Sequence, residues 1–173
     1  MSILAQLKRI FDHDGLDYEC QQGQFWFAMR CGPFDATFRI WQNGFLTVLM
    51  ATTDFTVPPE RRSAVAEFCG FANYLLFVFG DIEVNPDDGN IVLRHSFMVP
   101  IEGVLDDDQL RWFIASSARL LASMSRPIVT LASGNADVKA VLSEARQMLH
   151  PGLQSDDQRV STAADPHIAA GEA

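Results

Sequence analysis

The sequence predicts an α+β fold in which an antiparallel sheet, a meander followed by a hairpin, packs with helices. Three observations carry that expectation. Apolar residues recur at helical spacing near the start and again in the second half; between Tyr18 and Thr53 the period drops to two; and a second alternating pair of segments, 81–84 and 91–99, flanks an Asn-Pro-Asp-Asp-Gly-Asn turn. The chain has 173 residues and a net charge of -9. That length suits one domain, assigned here to residues 1–149, followed by a disordered acidic tail, 150–173, where aromatics vanish and Ser, Asp, Thr and Ala dominate.

In chain order, Ile3, Leu4, Leu7, Ile10 and Phe11 form one apolar stripe, with Ser2 placed to cap and Asp14-Gly15 to stop the helix. Such a stripe fits the domain's own sheet better than a membrane. Phe25, Phe27 and Met29 alternate with Trp26, Ala28 and Arg30, and Phe34, Ala36, Phe38 and Ile40 alternate with Asp35, Thr37, Arg39 and Trp41. A third apolar run covers Phe45 to Thr53. Turns are expected at Gln22-Gly23, Gly32-Pro33 and Asn43-Gly44, the last in the type I′ form.

Pro58-Pro59 opens a helix on which Val65, Phe68, Cys69, Ala72, Leu75, Leu76 and Phe79 repeat, and its apolar character on most sides predicts a central, buried position. After Gly80 comes the hairpin. Asp106, Asp107 and Asp108 precede Leu110, Phe113, Ile114, Ser117, Leu120, Leu121 and Met124, a helix with acids at its positive end. Ile128 to Ala132, after Pro127, reads equally as strand or helix, and Asn135 is expected to cap a last helix through Leu149.

Charge excludes some function classes. Acids outnumber bases 22 to 13, which argues against nucleic-acid binding, and no apolar run reaches the ~20 residues of a membrane span. The acidity is uneven: residues 1–79 carry +6 and -8, the rest +7 and -14. Three cysteines without C-x-x-C spacing read as buried reduced thiols, and the cytoplasm is the expected compartment. The acidic hairpin turn resembles a calcium loop only superficially, since Pro86 stands where the sharp-turn glycine belongs and Val92 where the bidentate Glu belongs. Asp106 to Asp108 diverge around a helix and read as caps. The four histidines share no metal or nucleophile spacing, so no cofactor, metal site or enzyme activity is expected.

Two pairs of residues remain as candidates. Trp26 and Trp41 lie on the opposite parity from the phenylalanines of their strands, so they face either a partner surface or a further helix of the chain. Asn73 and Tyr74, polar groups on an apolar helix, are the candidate lining of a ligand pocket between sheet and helix.

The order helix, meander, helix, hairpin, helix is similar to the type III secretion chaperone-like fold, α-β-β-β-α-β-β-α, here with an extra C-terminal helix. Asn73, Gly80, Ile82-Glu83-Val84, the Asp-Gly turn, Val92-Leu93-Arg94-His95-Ser96, Gly103 and Asp108-Gln109-Leu110 together resemble the YbjN family of bacterial sensory transduction regulators. The resemblance implies a small cytoplasmic bacterial protein, homodimeric, without catalytic residues to carry over. Secretion chaperones of this fold hold extended client segments on a hydrophobic surface, which by similarity extends to a chaperone-like or regulatory protein-binding module here. A small-ligand sensor is the second expectation.

Overall fold

The computed structural model of the protein describes residues 2–75, 80–98 and 106–149. Helix α1 (Ile3–Asp14) starts at Ser2, whose hydroxyl accepts from the Ala5 amide, and ends at Gly15 in the left-handed region. Its buried side, Ile3, Leu7, Ile10 and Phe11, is the stripe the sequence predicts. Strands β1 (Glu19–Gln21), β2 (Gln24–Cys31), β3 (Phe34–Asn43) and β4 (Leu46–Thr56) form the meander. A turn of 3₁₀ helix, Pro59–Arg61, leads into α2 (Arg62–Leu75), followed by β5 (Asp81–Val84), β6 (Asn90–Met98), α3 (Asp107–Ala132) and α4 (Val138–Leu149). The six strands make one antiparallel sheet in the order β1-β2-β3-β4-β6-β5.

Parity sorts the sheet into two faces. Phe25, Phe27, Phe34, Phe38, Ile40, Leu49, Ala51, Ile82, Ile91 and Leu93 are buried on one of them. The helices pack there: Phe11 of α1 meets Phe25 and Phe27, and Phe113 of α3 meets His95 and Phe97. Burying these rings, each worth roughly 1.5–3 kcal/mol, is the main term fixing strand register, because a slip by one residue would turn every Phe to the other face.

The structure revises several local expectations. At Asn43-Gly44 the paired residues are Asn43 and Leu46, so Gly44-Phe45 occupies the turn, and among the turn residues only Gly44 has positive φ (62°). That is the glycine-first type II′ pattern. The type I′ requirement, positive φ at both centres, is met instead by Gln22 (51°) and Gly23 (75°). Helix α2 is buried only along Val65, Phe68, Cys69 and Ala72, while Phe71, Tyr74 and Leu75 are exposed, so it lies against the sheet edge and not at the centre. Ile128 to Ala132 is helix: α3 runs through Pro127, whose buried ring outweighs the lost amide hydrogen bond. Asp137, not Asn135, caps α4, accepting from the amides of Lys139 and Ala140. Cys31 and Cys69 are buried, but Cys20, on the short edge strand β1, is exposed. The tail 150–173, with His150 and His167, lies outside the described residues.

Candidate functional site

No described helix covers the second face of the sheet. Its cross-strand register places Glu19, Trp26, Arg39, Met50, Arg94 and Asp81 in one row from β1 to β5, and Gln24, Trp41, Val48 and Ser96 in the next. Both candidate tryptophans are therefore on this face, half-buried, and between them lies Arg39. Its guanidinium carbon sits 5.0 Å from the Trp26 ring centroid and 4.8 Å from that of Trp41, a cation held between two indoles. The Arg39 Nε is buried and has no hydrogen-bond partner. Arg30 instead reaches Asp35 at 3.3 Å and Arg94 reaches Glu83 at 3.0 Å. Around these charges the face is mixed: Val48 and Val92 are buried, Met98 and Phe45 are exposed at one end, and Gln24, Thr37, Thr52 and Ser96 lie among them. Parity alone located the tryptophans; the arginine between them was missed because its partner on β2 depends on register.

Of two hollows, one lies beside this face and the other on the helix-packed side of the sheet. One of about 560 Å³ opens beside β1 and β2, lined by Tyr18, Gln24, Trp26, Ala28 and Thr37. The other, about 480 Å³, lies between β6 and the start of α3, with Phe97, Trp112 and Phe113 as apolar walls and His95, Asp106 and Gln109 as polar ones. Asn73 and Tyr74 line neither. The expectation of a pocket at those two residues is corrected on two grounds. The Asn73 amide is spent on Ile82, donating to its carbonyl at 3.0 Å and accepting from its N–H at 2.9 Å, while Tyr74 is 85% exposed. Between them and the sheet, Val65, Phe68 and Ala72 fill the space, each fully buried.

His95 and Ser117 resemble a base and a nucleophile, with Nδ1 and Oγ 2.9 Å apart. The Ser117 hydroxyl, however, donates to the Phe113 carbonyl at 2.8 Å, and the side chain is fully buried. Burial also holds the His95 imidazole below its ordinary pKa, in the neutral form suited to a core hydrogen bond. The acids of α3 act locally: Asp106 and Gln109 form a capping box, and Asp107 receives Gln6 at 2.8 Å and Arg9 at 2.7 Å from α1. Arg111 grips Asp14 through two bonds of 2.9 and 3.0 Å and, with His13, lowers its carboxyl to about 2. The hairpin turn is held by Arg62, which donates to the carbonyls of Pro86 and Asp87. Among the described residues no cluster of His, Cys, Asp and Glu is arranged to hold a metal ion, and no helix is long and apolar enough to cross a membrane.

A model of the YbjN family, described as "Putative bacterial sensory transduction regulator", matches residues 4–128. The chain belongs to the YbjN family. The YbjN assignment agrees with the architecture: a crystal structure described as "YbjN, a putative transcription regulator from E. coli" superimposes with a TM-score of 0.54 at 18% identity, covering 72% of this chain and 93% of that one. At that identity the likeness establishes the YbjN fold alone. No curated protein matches the chain.

Proposed function

We propose that the chain is a non-enzymatic, regulatory protein-binding module of the cytoplasm, acting as a homodimer through the helix-free face of its sheet. The observation that carries this reading is that face itself. It holds Trp26, Trp41 and Met50, each half-buried, beside the buried Val48 and Val92, with no described helix over them, whereas the other face packs against α1, α2 and α3. Contiguous apolar and aromatic surface between charged residues is the composition of a protein interface. A chaperone-like role is the form this takes if the same surface holds a client segment. Light scattering of the wild type and of Trp41→Asp tests the dimer. The wild type is expected at twice its 19.2 kDa and the variant at that mass, with unchanged circular dichroism. Equal masses for the two would overturn the proposal.

A second reading, a small-ligand sensor, is favoured by the hollow between β6 and α3, where apolar walls and a few convergent polar groups meet. Trp112, 60% exposed at its rim, supplies the assay: a ligand seated there shifts its fluorescence, and Trp112→Leu abolishes the shift.

A further inference from the structure

Resting on the reading of the sheet face as an interface between two copies, the unmatched charges on that face specify how the copies meet. We propose that they dock sheet to sheet about a two-fold axis, so that Arg39 of each protomer pairs with Asp81 of the partner subunit.

On that face two arginines already have acidic partners, and two acids have hydrogen-bond donors. Arg30 has Asp35, Arg94 has Glu83, Asp54 accepts the Asp35 amide at 3.0 Å, and Glu19 accepts from the Gln21 side chain at 3.3 Å. Arg39 has only its two indole faces, with Nε buried and unpaired, and Asp81 is exposed with no ion pair or side-chain hydrogen bond among the described residues. Both occupy the same cross-strand row: Arg39 is opposite Met50, Met50 opposite Arg94, and Arg94 opposite Asp81. Three strand spacings separate them, about 14 Å, beyond a Debye length of roughly 8–10 Å. Within one chain they cannot neutralise each other.

Between two chains they can. A two-fold axis running along the strands, between two facing sheets, sets each row opposite itself in reversed strand order. With the axis over the β4–β6 boundary, Arg39 on β3 faces the partner's Asp81 on β5, twice over by symmetry. Facing sheets pack about 10 Å apart, a gap that an arginine from one side and an aspartate from the other span together. The overlap takes in β3, β4, β6 and β5. The four strands, of 10, 11, 9 and 4 residues in β3, β4, β6 and β5, give a flat footprint of ~540 Å² at standard strand dimensions, about two-thirds of the ~800 Å² per partner that stable interfaces bury. The indoles on either side of Arg39 hold its guanidinium in place before the partner arrives, which lowers the ordering cost of binding.

Charge reversal tests the pairing on the full chain. Arg39→Glu and Asp81→Arg are each expected to raise the dimer dissociation constant at least ~10-fold, measured by sedimentation over a concentration series, because each sets like charges together at two symmetric points. The double variant is expected to return to within ~3-fold of wild type. Thermal melts of each variant show whether the monomer still folds. Single variants that dimerise like the wild type, or a double variant no tighter than the singles, would overturn the pairing. If Trp41→Asp dissociates the dimer while the charge variants do not, the register alone fails. A monomeric wild type removes the interface as well, and a dimer insensitive to Trp41 and to both charges places the contact elsewhere.

Discussion

Asn73→Ala should destabilise the fold by about 2 kcal/mol, because Asn73 is the clamp between α2 and the edge strand β5. The amide donates to the Ile82 carbonyl and accepts from the Ile82 N–H, so both backbone groups turn away from β6 toward the helix. Each such bond is worth roughly 0.5–1.5 kcal/mol net, and removing the side chain leaves two backbone groups beside a fully buried Ile82 without their partner. For a chain of this size that corresponds to a fall of about 4–8 °C in melting temperature. Asn73→Asp sharpens the test. It keeps the acceptor for the N–H but sets a carboxylate against the Ile82 carbonyl, which raises the folded-state pKa of the new carboxyl above its unfolded value of ~3.9. The protonated form can donate, so the deficit relative to wild type should be smallest below about pH 4 and grow as pH rises through the folded pKa. Urea midpoints at neutral and acid pH give both numbers. An Asn73→Ala variant within ~0.5 kcal/mol of wild type would refute the clamp and return Asn73 to the candidates for ligand contact.

Further outcomes follow from the same geometry. His95 is held neutral by burial, with its pKa below the unfolded ~6.5, so the unfolded chain binds the extra proton and stability declines as pH falls from about 6.5 through the folded value; His95→Gln should flatten that part of the urea-midpoint profile. NMR titration should find the Asp14 carboxyl near 2 in the wild type and shifted toward the ordinary carboxylate range in Arg111→Ala, while an unmoved Asp14 would count against the Arg111 bond as the chief cause. With a thiol reagent on the native protein, exposed Cys20 should react at once. Cys31, pushed up to about 11 by burial, and Cys69, pushed up to about 12, should react only with unfolding; immediate titration of three thiols would contradict that burial. Phe68→Ala, at a fully buried site between α2 and the sheet, should cost roughly 3–5 kcal/mol and be the most damaging of these changes.

Features governed by local periodicity were legible in the sequence. The α1 stripe, the Phe face of β2 and β3 and the hairpin each express a repeat shorter than four residues, and burial follows it position by position. What escaped was set by register or by competition. Which turn residue carries positive φ depends on where the strands pair, and this moved the Asn43-Gly44 turn by one position. Pro127 is a helix breaker by propensity, overridden because its ring and Ile128 are buried against the core. Asn73 was singled out correctly as a polar group needing partners, but the sequence could not say whether backbone or ligand supplied them. The Trp26–Arg39–Trp41 stack combines residues 13 positions apart across a hairpin with neighbours two apart on one strand, so it becomes visible only once the strands are aligned.

The proline inside α3 also bears on how the molecule opens. Pro127 has no amide to donate, so the Ser123 carbonyl lacks its helical bond and the hydrogen-bond ladder is interrupted there, one residue before the family match ends at 128. Beyond that break the last turn of α3 and all of α4 rest on a few buried residues, among them Leu131, Val141 and Ala145. Such a segment is expected to open at a lower free energy than the central strands. Its amides are expected to exchange with solvent deuterium well before those of β3 and β4, so that the C-terminal helical pair can detach and return while the sheet, and the surface it presents, stays intact.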